Sequence, residues 1–138
     1  MSYIYIICPV RRVTPESKKF MDAYVARLER NSQNRVHYPP RDVDQTQSGM
    51  EICVEHSEFM SIADEVHIYW DPESRGSIFD LGMAFARFIN NPGFEVVSIN
   101  EVKKTEEKSF TNVLLAFAEA EHRYNGGFDH YDPMEIEE

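Results

Sequence analysis

From Tyr3 to Cys8 the chain reads Tyr-Ile-Tyr-Ile-Ile-Cys without a polar break, the pattern of a strand buried on both faces of a sheet. Thr14-Pro15-Glu16 follows, with a capping hydroxyl, a proline suited to the first helical position and an acidic first turn. Phe20, Ala23, Tyr24 and Leu28 recur at helical spacing, which predicts a helix over about 15–31 with those residues turned inward. Asn31-Ser32-Gln33-Asn34 ends it, and Arg35-Val36-His37-Tyr38 reads as a second strand stopped by Pro39-Pro40. Residues 39–48 are polar and read as a loop long enough to serve as a lid or binding loop. Ser48 and Glu51 have the spacing of a capping box ahead of a helix over about 49–62. A strand from Val66 to Trp70, the turn Asp71–Gly76 and an apolar helical pattern from Ser77 to Phe88 come next. Asn90-Asn91-Pro92-Gly93 introduces a fourth strand, Glu95 to Ile99. The last helix is predicted over about Ser109–His122, with Phe110, Val113, Leu114 and Phe117 as its apolar stripe.

Strands that alternate with helices need crossover connections, and those make a parallel sheet covered on both faces. The predicted fold is α/β, a flavodoxin-like (Rossmann-like) three-layer sandwich with strand order 2-1-3-4. In that order the ligand crevice opens between the carboxyl ends of strands 1 and 3. The chain has 138 residues, 42% of them hydrophobic, enough for one core and too few for two. One domain is expected over 1–125, followed by an acidic tail over 126–138.

Charge narrows the partners. A net charge of −10 opposes binding to a nucleic-acid polymer or an anionic membrane surface, because like charges repel at long range. Part of the excess lies in the tail, where Asp129, Asp132, Glu135, Glu137 and Glu138 stand without a Lys or Arg. No apolar run reaches the length of a membrane span, and no cationic leader with a cleavage site precedes the first strand, so a cytoplasmic location is expected. Cys8 and Cys53 then read as reduced thiols. His37, His67, His122 and His130 share no ligand spacing, so no metal is expected, and no other cofactor either.

The candidate chemistry gathers at the crevice. Cys8-Pro9-Val10-Arg11-Arg12 leaves strand 1, with Tyr5 upstream, and Asp71 to Gly76 leaves strand 3. The helix expected from Ser77 carries Asp80 in its first turn. Its N-terminus presents unpaired N–H groups and the positive end of a dipole. Two guanidinium groups, the hydroxyls of Ser74 and Ser77, a carboxylate and a phenol together suit a nucleotide with one phosphate. Asp80 has a second reading, as the acidic member of a capping box with Ser77. Ser74 and Gly76 also suit a plain turn, and Ser109 suits the N-cap of the last helix.

These residues resemble the nucleoside 2-deoxyribosyltransferase family, and more closely its branch of 2′-deoxynucleoside 5′-phosphate N-hydrolases. Tyr5-Ile6-Ile7-Cys8-Pro9 stands in place of the family's first-strand motif, and Ala63-Asp64 in place of its Ala-Asp pair. Ser74-Arg75-Gly76-Ser77-Ile78-Phe79-Asp80-Leu81-Gly82-Met83-Ala84 matches the main motif in register. The resemblance implies a double displacement at C1′ of a 2′-deoxyribosyl group, with Asp80 in the nucleophile's position. It places Ser74 and Arg11 at the phosphate, and implies a homodimer or larger homo-oligomer in which Ser109 of one copy reaches a neighbour's site. Asp80 stands where the family carries Glu, and His56, eight residues before Asp64, stands where the family carries Asp.

Two functional readings follow. One is an enzyme that cleaves or transfers at the N-glycosidic bond of 2′-deoxynucleosides or their 5′-monophosphates, with Asp80, His56 and Tyr5 at the reacting centre. Arg11, Asp71, Ser74, Gly76, Ser77 and Ser109 then hold the substrate. The other is a catalytically impaired nucleotide-binding protein on the same fold. A phosphoacceptor receiver domain needs an acidic cluster where this chain has Cys8-Pro9-Val10-Arg11, and a dinucleotide-binding domain needs a glycine fingerprint that no strand precedes.

Overall fold

The computed structural model describes the backbone of residues 1–123 and the side chains of residues 1–118. Four parallel strands, β1 (Ser2–Ile7), β2 (Asn34–His37), β3 (Glu65–Ile68) and β4 (Glu95–Ser98), form one sheet in the order β2-β1-β3-β4. This is an α/β, flavodoxin-like arrangement, and it agrees with the order expected from the alternation of elements. Tyr5 lies beside His37 of β2 on one flank and Val66 of β3 on the other, so the middle of β1 is enclosed within the sheet. The helices are α1 (Pro15–Glu29), α2 (Pro39–Asp42), α3 (Gly49–Ile62), α4 (Arg75–Asn90) and α5 (Phe110–Arg123). The acidic tail over 126–138 lies outside the described residues, as do the side chains of His122 and His130.

Alternation along the strands sorts the core into two layers. Tyr5, Ile7, Val66, Ile68 and Val96 face α3, α4 and α5, where they meet Met60, Leu81, Phe88, Leu114 and Phe117. Ile4, Ile6 and Cys8 face the other way and pack on Met21 and Val25 of α1. Burying a large apolar side chain stabilises the fold by about 1.5–3 kcal/mol, which explains why the unbroken run in β1 sits at the centre of the sheet.

The local signals at helix starts hold. Thr14 caps α1 by accepting the Ser17 N–H, and Ser48 and Glu51 close a reciprocal capping box at α3. Several expectations are corrected. Residues 39–48 are not all loop, because Pro39–Asp42 makes a helical turn in which Asp42 accepts the Tyr38 N–H at 2.8 Å. The most buried residues of α1 are Met21 and Val25; of the expected inward residues Tyr24 and Leu28 pack partly buried beside them, whereas Ala23 is exposed and Phe20 stays 46% exposed. An aromatic flank accompanies this: the Phe20 ring lies 5.8 Å from that of Tyr69, just past β3, and the Tyr24 ring 5.8 Å from that of His67 on β3.

The most consequential correction concerns α4. It starts at Arg75, with Ser74 as N-cap accepting from the Ser77 N–H, so Ser77 is inside the helix and not its cap. The Ser77–Asp80 capping box therefore does not form, and Asp80 lies one turn deeper than expected. No acidic residue occupies the first turn of α4.

Candidate functional site

Moving Asp80 into the second turn of α4 points its carboxylate toward the sheet. It is 5% exposed, and two side chains address it: the Tyr5 hydroxyl donates to Oδ2 at 3.0 Å, and His56 Nδ1 lies 3.1 Å from Oδ1. Three elements converge here, because Tyr5 comes from β1, His56 from α3 and Asp80 from α4. With Asp80 ionised, the carboxylate only accepts, and Nδ1 of His56 is then the donor of this contact. Burial, and then the negative charge of Asp80, hold the Tyr5 hydroxyl far above the usual phenol range, which keeps it a neutral donor.

His37 completes the cluster, and the sequence reading did not single it out as a site residue. It is buried, its ring stacks on Phe59 at 3.8 Å, and it lies 5.2 Å from the Tyr5 ring and 6.2 Å from the His56 ring. Burial pushes its imidazole down to about 4, so it is neutral at physiological pH. The Nε2 atoms of His37 and His56 are both buried without a hydrogen-bond partner in the protein. Such atoms cost about 1–3 kcal/mol each and are retained where water, a ligand or a reaction uses them. A groove of about 370 Å³, lined by Tyr3, Tyr5, Arg35, His37, Phe59 and Ile62 among others, reaches two members of the cluster. Nothing local marks His37, because its place beside Tyr5 comes from the pairing of β2 with β1.

The predicted anion-binding parts lie at the carboxyl end of the sheet. Asp71 forms the turn by accepting the Glu73 N–H at 2.9 Å, and Ser74 Oγ donates to Ser77 Oγ at 2.9 Å. Gly76 sits in the first turn of α4, and a Cβ there meets nothing within 4 Å. That helix end is therefore open to a ligand. Arg11 and Arg12 are exposed on the loop after β1, and Arg12 adopts a left-handed φ of 58°. Ser109 caps α5 by accepting the Asn112 N–H at 3.1 Å, as its capping reading required. It also lines a cavity of about 570 Å³ with Trp70, Pro72, Ile78 and Lys108, on the flank of the α4 start.

Two further motif residues turn out to be structural. Asp64 accepts the Tyr3 N–H at 2.9 Å, tying the start of β3 to β1, and Ala63 O accepts from Arg87. Cys8, beneath the loop that carries Arg11, is buried, and its thiol is pushed up to about 12 by burial and then by the charges of Asp80 and Asp22. Among the described residues no three His, Cys, Asp or Glu side chains gather as metal ligands, and no helix is long and apolar enough to cross a membrane.

Compared with family models, with curated proteins and with solved structures, the chain gives no significant match. A functional reading therefore stands on the residues and their geometry.

Proposed function

We propose that the protein breaks the N-glycosidic bond of 2′-deoxynucleosides or their 5′-monophosphates, releasing the free base to water or passing the sugar to a second base. The observation that carries this reading is the buried Asp80 carboxylate held between the Tyr5 hydroxyl and His56, one helical turn below an open helix N-terminus. A carboxylate in a low-dielectric site stabilises the positive charge that develops at C1′ as the base departs. The α4 start, with Ser74, and the exposed Arg11 suit a 5′-phosphate by charge and hydrogen-bond type, whereas Ser77 is buried and bonded to Ser74.

The test is release of free base from a panel of deoxynucleoside 5′-monophosphates and deoxynucleosides, followed by chromatography. Release by the protein and none by Asp80→Ala supports the reading; equal rates for the two proteins refute it. A second reading, nucleotide binding without turnover, is favoured by one observation: Asp80 is 5% exposed with a partner on each oxygen. Calorimetry that finds tight binding of a nucleotide recovered intact after long incubation selects that reading.

Association into a homodimer or larger assembly belongs to the same proposal. Met50 and Val54 on α3 and Phe79 on α4 are exposed apolar side chains, which pairing between copies would cover. Sedimentation at several concentrations checks it. A cytoplasmic location also fits, since Cys8 and Cys53 are free thiols.

A further inference from the structure

We propose that His56 is the general base of this site and that Asp80 is its positioning residue, so that hydrolysis proceeds by direct attack of water on C1′. The inference rests on the N-glycosidic reading above, but reassigns who meets the substrate. The double displacement implied by the family resemblance needs a carboxylate free to bond to C1′. Here Oδ1 faces His56 Nδ1 at 3.1 Å and Oδ2 accepts the Tyr5 hydroxyl at 3.0 Å, so both oxygens are engaged. Attack by Asp80 requires both contacts to open and a side chain one methylene shorter than Glu to bridge the gap, about 1.5 Å of lost reach.

The same contacts make a good base of the imidazole. With its proton donated from Nδ1 to the carboxylate, His56 keeps a lone pair on Nε2, and the carboxylate stabilises the imidazolium when a second proton arrives. That Nε2 is buried and has no partner in the protein. The Tyr5 ring lies 6.0 Å away at 81° and the His37 ring 6.2 Å away at 78°, so two edge-on aromatic neighbours fix the plane of the imidazole. A water donating to Nε2 would satisfy this atom and be the one deprotonated.

In the step itself, Nε2 takes one proton of the water as the water oxygen forms its bond to C1′. The C1′–N bond breaks and its electron pair stays on the base nitrogen, which takes a proton from solvent. His56 then returns its proton to solvent. The sum is one water consumed, one C–O bond made and one C–N bond broken. No glycosyl-enzyme forms, so the configuration at C1′ inverts, whereas a double displacement through Asp80 retains it.

The experiment is solvolysis of a deoxynucleoside 5′-monophosphate by the intact protein in a water–methanol mixture, read by proton NMR. The methyl glycoside records the anomer, because unlike the free sugar it does not interconvert. The α-anomer from the β-nucleotide is expected, with no sugar adduct on the intact protein by mass spectrometry. The β-anomer, or an adduct on Asp80, overturns the role of His56 and leaves the N-glycosidic reading standing. No base release from any nucleotide overturns both. A second readout needs no turnover: nitrogen-15 NMR of the histidines should show His56 protonated at Nδ1 and bare at Nε2, and the opposite tautomer overturns the proposal. His56→Gln should lose roughly 10²–10⁴-fold in rate. Asp80→Asn should lose a comparable factor in rate and shift the pH dependence of that rate, which a purely structural carboxylate would not do.

Discussion

Replacing Tyr5 by Phe removes one oxygen from the middle of the sheet and leaves the rest of the ring in place. Tyr5 is fully buried, and its hydroxyl donates to Asp80 Oδ2 at 3.0 Å. Because the acceptor is a carboxylate, the bond is worth about 1.5–3 kcal/mol, more than a neutral pair. The void left by one oxygen is too small to hold a water, so Oδ2 stays unpaired and the loss should fall in the upper part of that range. A loss of about 2 kcal/mol lowers Tm by roughly 5–12 °C for a domain of this size. Urea unfolding of both proteins should show a lower midpoint with an unchanged slope. Adding Asp80→Asn completes a double-mutant cycle, in which a coupling of about 1 kcal/mol or more is expected. A loss below about 0.5 kcal/mol would mean that the hydroxyl and the carboxylate are not bonded in solution, and the site as described would fail.

Two further outcomes follow from the shifted groups. His37 binds its proton more weakly folded than unfolded, its value falling from 6.5 to about 4, so the unfolded chain takes up a proton first as pH drops. The stability this neutral histidine contributes is complete above about pH 6.5 and is lost as pH falls toward about 4. His37→Phe, which keeps the stack on Phe59, should flatten the pH dependence of unfolding in that window, and an unchanged slope would refute the assignment. Cys8, with its thiol pushed up to about 12, is only about one part in ten thousand thiolate at pH 8. Native protein treated with a maleimide should therefore carry no label on Cys8 by peptide mass spectrometry until denaturant is added, and rapid native labelling would contradict its burial.

The caps at Thr14 and Ser48 were legible in the chain because each depends on neighbours in sequence, and the strand order because alternating strands and helices require crossover connections. An unbroken apolar run, a hydroxyl before a proline and a capping box carry their own physics. The start of α4 was legible only to within a turn, since Ser74 and Ser77 both offer a capping oxygen three residues ahead of an N–H. The two choices differ by which oxygen the folded chain places over that N–H. This one-turn difference decides the site, because it carries Asp80 from the open helix end down to Tyr5 and His56.

Tyr5, His56 and Asp80 could be singled out one at a time from their positions in the chain. Their meeting could not, since the Tyr5–Asp80 and His56–Asp80 contacts span 75 and 24 residues and depend on how α3 and α4 lean on the sheet. His37 was invisible for the same reason: only the pairing of β2 with β1 brings its ring beside Tyr5. The neighbours of Phe20 and Tyr24 likewise come from far along the chain, in Tyr69 and His67. Local hydrogen bonding and apolar periodicity are written residue by residue, and so the sequence by itself determined the elements and their order. Burial and the partners of a carboxylate arise only when distant segments exclude water together, and so the tertiary structure alone decided which groups meet Asp80.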